Sequence, residues 1–189
     1  MLDLDSGPIH LSVEAGIGGT TLALNLADCV LRTEARVVWL CRKIPNGERM
    51  TQIFSNLESS VLERFFAIEF GEGFLTKVNL VKPILSQLNE NDLIVVDDWC
   101  PSHGRVPSSD LQASKLIIEY ASRTRILLIS KAYENPSSEG FPWRSRGGDI
   151  EGVRQVWLLM NNQIRGTRVL IEGENKIELE LDDFGFHPI

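Results

Sequence analysis

The chain has 189 residues, of which 43% are hydrophobic and 24% are charged, and its formal net charge is −7. This length and composition suit one globular domain with a full core, spanning residues 1–189. No apolar run reaches the roughly 18 residues of a membrane-spanning helix, so no membrane partner is expected, and the acidic balance argues against a generally basic nucleic-acid coat while leaving room for a local basic loop.

The three cysteines, Cys29, Cys41 and Cys100, indicate a reducing compartment. Their odd number and the lack of a C-x-x-C spacing predict neither a disulfide framework nor a zinc site. The segment Met1–Asp5 carries acid where a secretion signal would carry base. We therefore expect a cytoplasmic protein, or a nuclear one if the source is eukaryotic.

Strands and helices are predicted to alternate through the first 130 residues. Apolar runs predict buried strands, and apolar residues at four-residue spacing predict helices that face a core. The predicted elements are strand 9–14, helix 20–31, strand 36–41, helix 48–57, strand 65–70, helix 78–88, strand 93–96, helix 109–123 and strand 125–130. This order is typical of an α/β fold with a mostly parallel central sheet flanked by helices.

The last third of the chain has a different pattern. Residues 131–149 are rich in Pro, Gly and Ser and predict a long loop, of a length that is usually functional or disordered. Strands are predicted at 153–160, 167–172 and 176–181, with turns at 161–162 and 173–175. We expect these strands to form an antiparallel extension at the C-terminal end of the sheet.

A glycine-rich turn, Glu14-Ala-Gly-Ile-Gly-Gly-Thr-Thr21, joins the first strand to the first helix. A phosphate-binding loop reads G-x-x-x-x-G-K-[ST], in which backbone N–H groups and a lysine hold the phosphates and a hydroxyl holds Mg²⁺. The positions that keep this pattern are Gly16, Gly18, Thr20 and Thr21. Val13 replaces the first glycine and Gly19 replaces the lysine, so the turn keeps the form of a nucleotide site without its main positive charge.

The strand Leu93-Ile-Val-Val-Asp-Asp98 ends in two carboxylates. Four apolar residues followed by an acid form the Walker B pattern, whose aspartate contacts Mg²⁺ directly or through water. Because a glycine turn precedes this strand in an alternating α/β pattern, we interpret Asp97 as the partner of Thr20, both serving a metal ion only if Mg–nucleotide binds. The alternative is that Asp97 caps a turn.

The order of these motifs resembles the RecA family, specifically the core domain of archaeal RadA and RadB and their eukaryotic recombinase paralogues. The other similar segments are the helix start Gly47–Ile53, the strand end Ser130–Ala132, the glycine pair in Arg146–Asp149, the arginine hairpin Arg165–Arg168 and the terminal strand Glu178–Gly185. The resemblance covers nearly the whole chain. It implies a RecA-like P-loop NTPase core.

The chain departs from this family at the catalytic positions. The triplet that ends the second strand is Cys41-Arg42-Lys43, which places Lys43 where active members carry the glutamate that activates water. A lysine cannot act as a carboxylate base near neutral pH unless its pKa falls greatly. The side chain that senses the γ-phosphate falls at Lys131 or Ala132. We therefore interpret the chain as a degenerate ATPase core with no catalytic residue and no cofactor.

Nucleotide binding without turnover is an alternative, in which ATP or ADP with Mg²⁺ is the ligand. Lys43 or Lys131 would reach the phosphates and supply the missing charge, and helix N-termini bind anions without a lysine. The vestigial or weak site would comprise Gly16, Gly18, Gly19, Thr20, Thr21, Asp97 and Lys43. A further alternative is that the turn is kept only for packing.

Basic and aromatic residues are interleaved in the segment 131–149. Cations that meet phosphates beside rings that stack on bases suit single-stranded DNA, and the resemblance places the family's second DNA-binding loop here. The DNA-binding candidates are Lys131, Tyr133, Phe141, Trp143, Arg144 and Arg146. Glu134, Glu139 and Asp149 leave the stretch nearly neutral, so contact with a partner subunit is the alternative.

The resemblance, together with these departures, implies a recombination or DNA-repair accessory protein that lacks appreciable ATPase activity and binds a RecA-family recombinase or paralogue, with single-stranded DNA as a second ligand. Family recombinases carry an N-terminal helical domain and a linker strand from which filaments grow. Only residues 1–8 precede the first strand here, so we expect no self-polymerisation by that route. Homo-oligomers and hetero-oligomers both fit. The alternatives are a RadB- or KaiC-like nucleotide switch with a relocated lysine, and a structural subunit of a hetero-oligomeric ring without a DNA role.

Overall fold

The structure, a computed structural model, describes residues 2–137 and 140–189. Its helices are α1 (Gly19–Leu31), α2 (Gly47–Ile53), α3 (Ser59–Leu62), α4 (Phe74–Leu85) and α5 (Ser108–Tyr120). Its strands are β1 (Ile9–Val13), β2 (Val37–Cys41), β3 (Phe65–Glu69), β4 (Leu93–Asp97), β5 (Arg125–Glu134), β6 (Trp143–Ser145), β7 (Arg154–Met160), β8 (Arg168–Glu172), β9 (Asn175–Asp182) and β10 (Gly185–Pro188). Glu139, one of the acids in the predicted loop, lies outside the described residues.

The central part of the sheet is parallel. The strands are ordered β10-β9-β8-β7-β1-β5-β4-β2-β3, and β6 pairs with β5. Neighbours from β7 to β3 are parallel, whereas β7 to β10 form an antiparallel meander. This arrangement confirms the predicted α/β class with a C-terminal antiparallel extension.

Apolar residues cover both faces of β2 and β4 at the centre of the sheet, which explains why the sequence has continuous apolar runs at these two strands. On one face, Leu11 and Val95 pack with residues of α1. On the other face, Val96 packs with Phe74 of α4 and Ile117 of α5. Within the described part of the chain, no helix combines the length and the apolar character needed to cross a bilayer.

The predicted loop over 131–149 is wrong in part. Strand β5 continues to Glu134, and β6 pairs with it antiparallel. The two strands form a hairpin that extends beyond the carboxyl edge of the parallel sheet. Polar residues can continue β5 in this region because alternate side chains of the strand are only partly buried here, as the half-buried Lys131 and Tyr133 illustrate.

Other boundaries also differ from the prediction. Helix α4 begins at Phe74, not at residue 78, because Phe74 is buried against Phe70 with their ring centroids 4.5 Å apart. The short helix α3 and the strand β10 were not predicted. Strand β10 follows a turn held by side chains of α1 and α2, contacts that no local sequence pattern announces.

Candidate functional site

The glycine-rich turn places the amino end of α1 beside the carboxyl end of β1. Gly16 and Gly18 have φ angles of 79° and 106°, in the left-handed region that residues with a Cβ rarely adopt. Gly18 is the N-cap of α1, and none of the described side chains caps this end. The N–H groups of the first helical turn are thus left without intrahelical partners, as in a phosphate-binding loop.

Val13 packs against Gly19, the position at which the phosphate-binding pattern has its lysine. A Cβ built on Gly19 would lie 2.8 Å and 2.9 Å from the two methyl carbons of Val13. Val13 is 2% exposed, and its β-branched side chain is stiff. Because Val13 stands where the loop pattern has its first glycine, the two departures are linked: the valine methyls fill the space that the stem of a lysine would need.

An aromatic ring from the C-terminal strands packs against the same turn. A Cβ on Gly18 would lie 3.2 Å from the ring of Phe186 and 3.5 Å from a methyl of Leu181. Phe186 belongs to β10 and is buried in the same cluster as α1. The glycine at position 18 therefore permits an apolar contact as well as a left-handed backbone.

Side chains of α1 and α2 hold the β9–β10 turn in place. The amide of Asn25 donates to the carbonyl oxygen of Phe184 at 3.1 Å, and its oxygen accepts from the N–H of Phe186 at 2.9 Å. The guanidinium of Arg49 donates to the carbonyl oxygen of Asp182 at 3.0 Å. The contact between Phe186 and the glycine turn is thus part of a hydrogen-bonded arrangement.

Thr20 and Asp97 meet at the base of the turn. The hydroxyl of Thr20 donates to Oδ2 of Asp97 at 2.9 Å. Burial raises the pKa of Asp97 to about 6, the charge of Asp98 adds to this rise, and the hydrogen bond from Thr20 opposes it. Thr21, the other hydroxyl of the turn, accepts from Nε of Arg49 at 3.3 Å. The structure therefore places in contact Thr20 and Asp97, the two side chains that would serve a metal ion if Mg–nucleotide binds.

Of the two lysines considered above, Lys131 lies beside these carboxylates. It pairs in register with Val13, its Nζ is 3.0 Å from Oδ1 of Asp98, and its charge acts to lower the pKa of Asp97. Lys43 follows β2 and is exposed, and no hydrogen bond or ion pair among the described residues joins it to the turn. Lys131 is thus the cation placed to face an anion at the turn.

Arg42, next to Lys43, forms hydrogen bonds with residues that follow β3 and β4 and with a residue of α5. Its guanidinium donates to the carbonyl oxygens of Asp98 at 3.2 Å and Gly71 at 3.0 Å, and to the buried carboxylate of Asp110 at 3.0 Å. A cation with a structural role therefore lies in the segment where an active family member is expected to carry its general base. Neither Arg42 nor Lys43 supplies a carboxylate for that step.

The residues at the turn do not fit an ordinary Mg–ATP site. The lysine is absent, Val13 fills its place and Phe186 covers part of the turn. The oxygens of Thr20 and Asp97 are of the kind that Mg²⁺ prefers, and bound phosphate and water would supply its remaining ligands.

The β5–β6 hairpin brings together most of the predicted DNA-binding residues. Tyr133 pairs with Arg144 across the hairpin, and the guanidinium of Arg146 lies 4.3 Å from the centroid of the Tyr133 ring. Phe141 is 42% exposed, and its ring centroid is 5.0 Å from that of Trp157 on β7. The hairpin thus presents cations beside rings.

Aromatic side chains line a cavity of about 610 Å³ between the hairpin and β7. Its lining includes Tyr133, Phe141, Trp143, Arg144, Asp149 and Trp157. Lys131, which is also in the predicted set, does not line this cavity, and its Nζ lies 3.0 Å from Oδ1 of Asp98. Trp157 is not in the predicted set, because it lies in an apolar strand and has no local pattern that sets it apart from a core residue.

A buried polar cluster, also missed from the sequence, anchors the hairpin. Nε2 of His10 lies 2.8 Å from the hydroxyl of Ser130 and 3.4 Å from that of Ser145, and it accepts from the indole N–H of Trp99 at 3.3 Å. Burial lowers the pKa of His10 to about 4, so the ring is neutral at pH 7. A Cβ on Gly147 would lie 2.2 Å from Trp99 and 2.6 Å from His10, so only glycine allows this approach.

The fold is similar to that of two solved proteins. A crystal structure of the RadB recombinase has a TM-score of 0.68 and 16% identity, covering 97% of this chain and 91% of that chain. A DnaB-like replicative helicase, solved to study its interactions with primase, has a TM-score of 0.65 and 10% identity, covering 96% of this chain and 57% of that chain. No protein-family model matches the chain, and no curated protein matches its sequence.

Identities this low establish a shared fold and nothing about activity. The parallel sheet, the glycine turn before α1 and the acid at the end of β4 are the parts that position a site in this fold. The chain therefore has a RecA-like α/β fold, of the kind found in the RadB recombinase and in a DnaB-like helicase.

Proposed function

We propose that this chain is a RecA-family accessory protein of recombination or DNA repair that works without appreciable ATP hydrolysis. The contact between Val13 and Gly19 carries this proposal, because it removes the place of the lysine that a P-loop ATPase needs. The cationic segment Arg42-Lys43, where a catalytic glutamate is expected, supports the same conclusion. The RecA-like fold shared with the RadB recombinase is consistent with a recombinase-type role.

Single-stranded DNA is the proposed nucleic-acid ligand, and the β5–β6 hairpin is its proposed site. Arg144 is exposed beside the aromatic cavity, and Arg146 stacks on Tyr133. Such a surface binds phosphates through its cations and bases through its rings. The net charge of −7 argues against a general polyanion-binding surface, so the proposed DNA contact is a local one at this hairpin.

A RecA-like chain is the proposed protein partner. Among the described strands, β3 lies at one edge of the sheet and pairs with β2 alone. Its Phe66 is 45% exposed. An edge strand with open hydrogen-bonding groups and exposed apolar side chains can pair with another chain.

The expected compartment is the cytoplasm, or the nucleus of a eukaryotic source.

The proposal is tested by titrating a labelled single-stranded oligonucleotide with the protein, with and without Mg–ATP, while phosphate release is measured. We expect salt-sensitive binding that Mg–ATP does not change, and no release of phosphate above background. Nucleotide-dependent binding, or phosphate release stimulated by DNA, would contradict the accessory role. Absence of DNA binding with retained partner binding would favour the structural subunit of a ring.

A nucleotide-binding switch is the second candidate, and the position of Lys131 favours it. Its Nζ lies 3.0 Å from Asp98, and Lys131 pairs in register with Val13, where β1 ends before the glycine turn. In this candidate, Lys131→Ala abolishes nucleotide binding and Lys43→Ala does not. If neither variant changes a measured nucleotide affinity, the relocated-lysine switch is wrong.

A further inference from the structure

The cavity between the hairpin and β7 is formed by rings from two separate parts of the fold. Tyr133, Phe141 and Trp143 come from the hairpin and its connection. Trp157 comes from β7, where it pairs with Ser12 on β1. One wall of the cavity is therefore part of the parallel sheet and keeps its position whatever the hairpin binds.

The hairpin side of the cavity is also held in place. The N–H of Asn135 donates to the carbonyl oxygen of Pro142 at 2.8 Å, and its side-chain amide donates to that of Phe141 at 3.1 Å. At the other end of the hairpin, Gly147 packs against Trp99 and His10. The rings are thus arranged before any ligand arrives, which lowers the ordering cost of binding.

The size and lining of the cavity suit a small planar ligand. Its volume of about 610 Å³ lies within the range of roughly 300–1,000 Å³ typical of ligand sites, and its lining combines aromatic rings with polar side chains. Asp149 lines the cavity, and its carboxylate can accept from ring or exocyclic N–H groups, which every nucleobase carries.

The charges around the cavity indicate what the planar group is attached to. The exposed Arg144 lines the cavity, and the guanidinium of Arg146 lies over the ring of Tyr133, which is part of the cavity lining. Two guanidinium groups beside an aromatic cavity are complementary to a base joined to phosphates. They are less suited to an aromatic side chain of a protein, whose neighbouring backbone carries no charge.

We propose that this cavity is a binding pocket for one unstacked base of a single-stranded nucleic acid, with Trp157 as its stacking platform. The inference rests on the proposed function and goes beyond it, because it assigns base recognition to a residue of the sheet and phosphate contact to the hairpin arginines. Since stacking does not distinguish strongly between bases, the pocket is sequence-tolerant.

The test compares two oligonucleotides of equal length and charge, one with bases and one with abasic sites throughout. The wild-type protein binds the base-containing strand more tightly, and this binding quenches tryptophan fluorescence. Trp157→Ala lowers affinity for that strand about 5-fold to 150-fold, as expected for one lost stack, and leaves affinity for the abasic strand unchanged. Trp157→Phe retains most of the affinity.

Phe184→Ala is the matched control, because Phe184 is exposed at the β9–β10 turn and does not line the cavity. Thermal unfolding shows whether each variant folds, and Phe141→Ala replaces Trp157→Ala if the latter does not. Equal wild-type affinity for the two strands overturns the pocket while DNA binding by the hairpin stands. Binding of neither strand overturns the proposed DNA function as well.

Discussion

Val13 and Gly19 stand at the first and seventh positions of the pattern G-x-x-x-x-G-K-[ST], and in the structure they are in contact. The two departures from the loop pattern look independent in the sequence, but in the structure they belong to the same packing contact. A lysine at position 19 would meet the valine methyls before its ammonium group could reach a phosphate. The effects on stability of placing glycine at position 13 and lysine at position 19 should thus depend on each other.

We expect Gly19→Lys alone to lower the free energy of unfolding by about 1–3 kcal/mol, because its Cβ would overlap Val13. Val13→Gly alone should also destabilise the protein, because it removes a buried side chain. The double variant should be more stable than the sum of the two predicts, and it alone should gain affinity for Mg–ATP. Urea unfolding and calorimetric titration measure both effects; additive stabilities would show that the two residues do not interact.

Asp97 gives a prediction about pH. Its pKa rises from an ordinary value of 3.8 to about 6 in the folded protein, mainly through burial. The unfolded chain therefore loses this proton first as pH rises, and the native protein loses stability between about pH 4 and pH 6. Asp97→Asn should be more stable than the wild type by about 2–3 kcal/mol at pH 7.5, and the difference should shrink towards pH 4. A constant difference across this range would contradict the raised pKa.

At the scale of elements, strands with uninterrupted apolar runs were predicted well. β2 and β4 are buried on both faces, and their continuous apolar residues identify them in the sequence. The hairpin was missed because β6 has three residues and its partner half of β5 is polar. The pairing of these strands depends on contacts with distant residues, which local patterns do not report.

The buried cluster behind the hairpin left a visible trace in the sequence. His10 and Ser130 are polar residues within apolar strands, and a polar residue in such a position is expected to have a buried partner. The sequence does not identify the partner, because Trp99 and Ser145 lie on other elements. The same holds for Phe186 over the glycine turn and for Trp157 in the cavity.

Gly147→Ala tests the anchoring of the hairpin. Its Cβ would lie 2.2 Å from Trp99, which is buried and cannot move aside, so we expect a loss of about 1–3 kcal/mol in the free energy of unfolding and weaker binding of single-stranded DNA. Gly47→Ala is the control, because nothing lies within 4 Å of its Cβ. Equal stability of the two variants would show that the contact is not required.

Arg144→Ala tests the hairpin as a phosphate-binding surface. We expect weaker binding of single-stranded DNA, with the slope of log K against log salt reduced by about 0.7 between about 50 and 200 mM salt. Arg123→Ala removes the same charge just before β5, at the opposite edge of the sheet, and should leave the slope unchanged. Equal effects of the two variants would indicate a nonspecific contribution of net charge.

At the scale of the whole molecule, the sheet order places both candidate sites at the carboxyl ends of the parallel strands. The glycine turn follows β1, the carboxylates follow β4 and the hairpin continues β5, between them in the sheet. Ligands of open α/β sheets bind at this edge. The alternation of strands and helices was enough to predict the parallel sheet, whereas the packing of Val13 against position 19 is visible only in the three-dimensional structure.

The most direct test of the account is a calorimetric titration of the purified chain with Mg–ATP near neutral pH. The structure leads us to expect no saturable heat, because Val13 fills the place of the loop lysine and Phe186 packs against the turn. Saturable binding in the micromolar range would contradict the account. It would make the nucleotide switch that uses Lys131 the leading explanation of this fold.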